Sequence, residues 1–215
     1  MPKIKSSFEF VSSRIQVEKK LHRREKLLKR SLAEAPDDAF LTRQLGGCYL
    51  QQKKFYRARR LLEKALELDP ADPETNYFTG LLFSLKGKES RAASWFQKSL
   101  ALKPDCYDAM RQMGVSYSKL GYEEQAIEWY QKAIECCRQD YDAMRQMGIS
   151  YAMLGDYESA TTWINRALEI NPRDWESRKN LNLILKKQKG HMPGMTARLI
   201  HSLTIAWRRF VNSIG

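Results

Sequence analysis

Histidine is nearly absent from this 215-residue chain, and the three present, His22, His191 and His201, lie near its ends. None has metal-ligand spacing, no glycine loop is built to cradle phosphates, and no nucleophile elbow occurs. The four cysteines, Cys48, Cys106, Cys136 and Cys137, lack C-x-x-C spacing and sit in or beside helical patterns, so neither a disulfide framework nor a zinc site is indicated. No apolar run approaches the roughly 20 residues that span a bilayer. The first residues, MPKIKSSFEFVSSRI, have no continuous apolar core of the secretory kind. These absences predict a cytosolic chain that is not an enzyme and needs no cofactor or metal.

Acid is missing from one end. Residues 186–215 hold six Lys/Arg and no Asp/Glu, residues 1–36 hold ten against four, and residues 37–185 hold 21 against 21. The formal charge of +12 therefore belongs to the two flanks, at +6 each, and not to the middle. With 43% apolar and 29% charged residues, the chain has the composition of an ordinary folded protein.

The middle is written to a ruler. Gly46, Gly80, Gly114 and Gly148 stand 34 residues apart, and so do Ala58, Ala92, Ala126 and Ala160. Pro36, Pro70, Pro104 and Pro172 fit the same frame, with Arg138 where one is skipped. Each glycine has a large residue three positions on: Tyr49, Phe83, Tyr117 and Tyr151. Each alanine has one four on: Leu62, Phe96, Tyr130 and Ile164. Small residues at a helix crossing let backbones approach, and a bulky neighbour fills the space beside the contact. Gly121 and Gly155 stand where a helix ends in a left-handed residue, and the prolines stand where a second helix must stop.

In these residues the chain resembles the tetratricopeptide repeat (TPR) family over about residues 37–174. The resemblance implies an all-α fold, a solenoid of antiparallel helix pairs coiled into a right-handed superhelix with a concave and a convex face. The repeats are read as about 37–72, 73–106, 107–140 and 141–174. Residues 175–190, with apolar Trp175, Leu181, Ile184 and Leu185 before a lysine-rich end, read as a capping helix. Residues 1–36 form a basic helical segment. It is either a degenerate repeat, with Ser12, Ile15 and Arg24 at the glycine, tyrosine and alanine positions, or one long basic helix.

The octamer YDAMRQMG occurs at Tyr107 and again at Tyr141. Between 107–121 and 141–155, 12 of 15 positions are identical, but between 122–138 and 156–172 only five of 17 match, so plain duplication does not account for the pattern. In the resembled family the first helix of each repeat lines the concave groove. Carried over, the groove positions are Phe40, Arg43, Gln44, Tyr77, Phe78, Asp108, Arg111, Gln112, Asp142, Arg145, Gln146 and, in the cap, Lys179. The expected surface is a ladder of cations and amides with an aromatic patch near one end. It is suited to a protein or peptide carrying acidic or amide side chains. The alternative is that Asp108 with Arg111, and Asp142 with Arg145, are solvated i,i+3 pairs worth roughly 0.2–0.5 kcal/mol each. On either reading, removing Arg111 and Arg145 is expected to leave the fold intact. The carboxylate clamp of heat-shock cochaperones is disfavoured, because its places hold Arg43, Gly47, Phe78, Asp108 and Gln112 and only the first is chemically similar.

Residues 191–215 read as an amphipathic basic helix. Leu199, Leu203 and Phe210 lie on one stripe with Trp207 beside it, and Arg208 and Arg209 lie opposite. The same moment serves an anionic membrane surface, packing on the solenoid or self-association into a homo-oligomer. Nucleic acid is disfavoured, because the basic run KKLHRREKLLKR carries no stacking aromatics and no nucleic-acid motif is recognised. The function read from the sequence is a scaffold or adaptor that binds a partner peptide or helix in the groove. The alternatives are a peripheral membrane assembly protein and a self-associating scaffold.

Overall fold

The computed structural model describes residues 3–191, with side chains from 16 to 188. The described residues form ten helices joined by short turns: α1 (Lys3–Glu34), α2 (Ala39–Gln51), α3 (Phe55–Leu68), α4 (Pro73–Leu85), α5 (Glu89–Leu102), α6 (Tyr107–Lys119), α7 (Glu123–Cys136), α8 (Tyr141–Met153), α9 (Tyr157–Ile170) and α10 (Trp175–His191). None is long and apolar enough to cross a membrane. The chain divides into two compact units, residues 1–136 and 137–215.

Hairpins form where the ruler predicts them, and the glycines show why. A Cβ added at Gly80 would stand 2.5 Å from the fully buried Phe96 ring, and one at Gly114 2.5 Å from the Tyr130 ring. Each of these pairs of helices therefore crosses at a point where only hydrogen fits. The turns close on left-handed residues, Gly87, Gly121 and Gly155 with φ of 69°, 84° and 86°, while the equivalent place in the first hairpin is Lys53 at 57°. Such a backbone strains any residue with a Cβ, which explains the glycines.

In the first unit, α2–α3, α4–α5 and α6–α7 are hairpins, with α3 packed on α4 and α5 on α6. The first helices also touch one another, α2 with α4 and α4 with α6, whereas among the described residues no contact joins α3 to α5 or α5 to α7. The closer row forms the inner side of the stack. One core joins Leu45, Tyr49, Ala58, Leu62 and Leu82, with Leu28 and Leu32 of α1 against it. A second joins Ala92, Phe96, Ala109 and Met113.

α1 is a single helix with no turn between its segments 8–15 and 27–34. It packs on α2 through half-buried Leu21, Leu28 and Leu32 and through buried Glu25. The Glu25 carboxylate accepts from Lys29 at 2.7 Å and Gln52 at 3.0 Å, with Lys54 at 3.4 Å. The Lys29 bond leads in holding it down at about 2, against the opposing push of burial.

In the second unit, α8 and α9 form a hairpin closed by α10, where Ile184 is buried against Ile164 and Ala160 with Leu181 alongside. Trp175 and Leu185 depart from the capping stripe expected of them, being 65% and 36% exposed. The predicted amphipathic helix with Leu199, Leu203, Trp207, Arg208, Arg209 and Phe210 lies outside the described residues.

Candidate partner-binding groove

Helices α2, α4, α8 and α10 begin on a capping side chain in the same register. The carboxylates of Asp38, Asp72 and Asp140 accept from backbone N–H groups of α2, α4 and α8, and Asp174 accepts from Ser177 N and Oγ at the start of α10. Capping satisfies donors that the first turn leaves bare.

The same caps receive the arginines of the groove. The Arg43 guanidinium bonds the Asp72 carboxylate and Glu74 at 2.9 Å, and lies 4.9 Å from the centre of the Phe40 ring. Arg145 reaches Asp174 at 2.8 Å, Glu176 at 3.0 Å and Asp142 at 2.6 Å. In both cases the partners stand 29 and 31 residues on, the cap and the second helical residue of the next first helix. The side chains of Arg43 and Arg145 are only 9% and 11% exposed. Burial pushes the Asp72 and Asp174 carboxyls up, yet bonds from Thr75 and Ser177, then from the arginines, outweigh it and hold both below their ordinary value.

This corrects one expectation. Arg145 is mostly buried and not solvated: besides the expected pair with Asp142 it reaches Asp174 and Glu176 at the start of α10, and removing it would strip charged hydrogen bonds from the mostly buried Asp174. Arg111 bonds Asp108 at 2.6 Å across one turn and is 20% exposed.

The other predicted positions differ in what they present. Phe40 is 56% exposed, Gln112 and Gln146 are half-buried, and Gln44 accepts from Arg24 at 2.6 Å. Lys179 lies 5.8 Å from the centre of the exposed Trp175 ring, which sequence reasoning had assigned to the cap. Tyr77 and Phe78 meet edge to face at 5.7 Å, and Phe78 lies where a Cβ on Gly47 would fall, 3.1 Å away. Gly47 thus makes room for an aromatic ring on the inner face.

The sequence placed Tyr77 in line with the arginines, but a second break in the register, at the helix caps, went unread. Position 106, in line with Asp38, Asp72, Asp140 and Asp174, is Cys106, and α6 has no side-chain cap there. Position 77, in line with Arg43, Arg111 and Arg145, is tyrosine. Cation and capping carboxylate are missing together at one junction. The signal was present in the 34-residue ruler but falls in the loops, which the glycine and alanine frame passes over.

Hairpins of this length, crossed at glycine and alanine and repeated in one register, define a helical-repeat protein. Two models described as Tetratricopeptide repeat match residues 25–78 and 105–173, together more than half of the chain. The chain belongs to the tetratricopeptide repeat family. No curated protein matches it. Among solved structures, it is similar to MamA at 23% identity, covering 75% of this chain and 94% of that one with a TM-score of 0.62. It is also similar to TTC0263, a TPR protein of Thermus thermophilus, at 18% identity, covering 81% and 95% with a TM-score of 0.68. A third is YrrB, described as a TPR protein with an unusual peptide-binding site, at 20% identity, 82% and 88% coverage and a TM-score of 0.59. At these identities the likeness shows the fold alone.

Proposed function

We propose that the chain is a protein–protein interaction scaffold whose first-helix face in the first unit, on α2, α4 and α6, holds a segment of a partner protein. The observation that carries this is a division of labour on that face. Arg43 and Arg145 are each occupied in joining one repeat to the next within their own unit, while in the first unit Phe40 is exposed and Gln112 only half-buried. An acidic partner on that face would have to displace the chain's own carboxylates from Arg43. Amide recognition involves no such exchange, so of the two partner chemistries expected from the sequence the amide is better supported. The peptide-binding site of YrrB is an instance of the fold in this use.

The test is a random-peptide display selection. Peptides that bind the wild type should lose binding to a Phe40→Ala, Gln112→Ala variant and keep it to an Arg57→Ala, Arg60→Ala variant altered on α3. Retention by the first variant would overturn the reading.

A second reading, contact with an anionic membrane, is favoured by one feature of α1. Lys19, Arg23, Lys26 and Arg30 are exposed and recur at helical spacing opposite the stripe that faces α2. Such a stripe, with the basic residues 191–215, is suited to anionic lipid. Flotation with phosphatidylserine vesicles, with and without residues 191–215 and with the four cations changed to Gln, tests it. Equal flotation of all forms would exclude it.

A further inference from the structure

At the junction of α4, α5 and α6, a cavity of about 470 Å³ opens beside the missing arginine. Its lining includes Tyr77, Cys106 and Asp108, the register equivalents of Arg43, Asp72 and Glu74. Where the neighbouring junction is filled by the chain's own guanidinium against two carboxylates and a ring, this one has rings, a thiol and a carboxylate around open space. We propose that this cavity is a socket for a guanidinium side chain of the partner segment, which supplies in trans the cation that Arg43 supplies in cis. The proposal rests on the groove reading above and deepens it.

Three observations support a cation as the occupant. Among the described residues, Asp108 has one cation, Arg111 at 2.6 Å, and lacks the inter-repeat partner that Glu74 has in Arg43. Asp105 adds an exposed carboxylate to the lining, and Glu74 a third; Lys103 is the lining's one cation. The aromatic walls are Tyr77, Phe78 and Tyr107. A planar, weakly hydrated guanidinium stacks on such rings and forks onto a carboxylate. This chain already uses that chemistry within itself, with Arg43 over Phe40 at 4.9 Å and Arg166 over Trp163 at 4.6 Å. An anion would meet the carboxylates of Asp105 and Asp108, Glu74 being paired with Arg43 at 2.9 Å, and a purely apolar group would leave Asp108 desolvated beside a single cation. The volume is in the range of sites that take small ligands.

The experiment titrates N-acetyl-arginine amide, N-acetyl-glutamine amide and N-acetyl-glutamate amide into isotopically labelled full-length protein and follows amide shifts by NMR. The arginine derivative should move the signals of Tyr77, Cys106 and Asp108 and bind about tenfold more tightly than the glutamine derivative, the ratio expected of one charge-assisted contact. In the Tyr77→Arg, Cys106→Asp variant the junction regains its own pair, and binding should be lost while the helical spectrum and melting transition persist. Lys103→Glu, which reverses the charge of the lining's one cation, should tighten arginine binding. Equal affinity for all three derivatives, shifts scattered outside the socket, preference for glutamate, or weaker arginine binding in Lys103→Glu would each overturn the proposal. Any of these with display-selected peptides still lost in the groove variant would leave the scaffold reading standing; peptides retained by that variant would remove that reading as well.

Discussion

At the scale of single residues, glycine at a helix crossing and arginine at a repeat junction do different work, and their costs separate. A Cβ at Gly46 would stand 3.1 Å from the flexible end of Leu62, but at Gly114 it would stand 2.5 Å from the buried Tyr130 ring. Gly46→Ala should therefore be near neutral, because better helix propensity offsets the tight contact. Gly114→Ala should lose about 1–3 kcal/mol by overpacking, as read in urea unfolding. Equal effects would show that the crossings are not set by this contact. For arginine, Arg145→Ala should lose about 1–3 kcal/mol by stripping charged hydrogen bonds from its carboxylates, of which Asp174 is mostly buried. Arg59→Ala, which removes an exposed i,i+4 pair with Glu63, should lose no more than about 0.5 kcal/mol. The glycines were legible from the sequence because a steric demand leaves one residue type in one register. The inter-repeat partners of Arg43 and Arg145 were not legible, because they stand 29 and 31 residues away, where helical spacing along one segment cannot reveal them. Cys106 was readable in principle, since four aspartates mark its register.

At the scale of elements, turns and docked helices carry the local stability. Lys53 holds a left-handed backbone that glycine holds in three other turns, so Lys53→Gly should raise stability by about 0.5–1 kcal/mol in thermal unfolding. No change would mean that Lys53 gains compensating contacts. For α1, the depressed Glu25 carboxyl fixes the sign of a pH effect. Its contribution is fully present above its ordinary value of 4.5 and is lost as pH falls toward about 2. Amide protection in α1 near Leu28 should fall over that acid range, and Glu25→Gln should make it lower and flat with pH. The hairpins were legible because their signals are local. The length of α1 was left open, because a basic helix without glycines matches a degenerate repeat as well as a continuous helix.

At the scale of the whole molecule, a charge-balanced middle lies between two flanks of +6 each, so two kinds of contact should respond differently to salt. Raising ionic strength from about 0.1 to about 1 M shortens the screening length from about 10 to about 3 Å. Vesicle flotation through the flanks should collapse over that range, whereas peptide binding on the first-helix face should weaken only several-fold. The central claim is that this face is where a partner lies. Hydrogen–deuterium exchange of the full chain, with and without a display-selected peptide, tests it directly. Added protection should fall on α2, α4 and α6, with α3, α5 and α7 unchanged. Protection confined to α1 or to residues 191–215, with the first helices unaffected, would contradict the account.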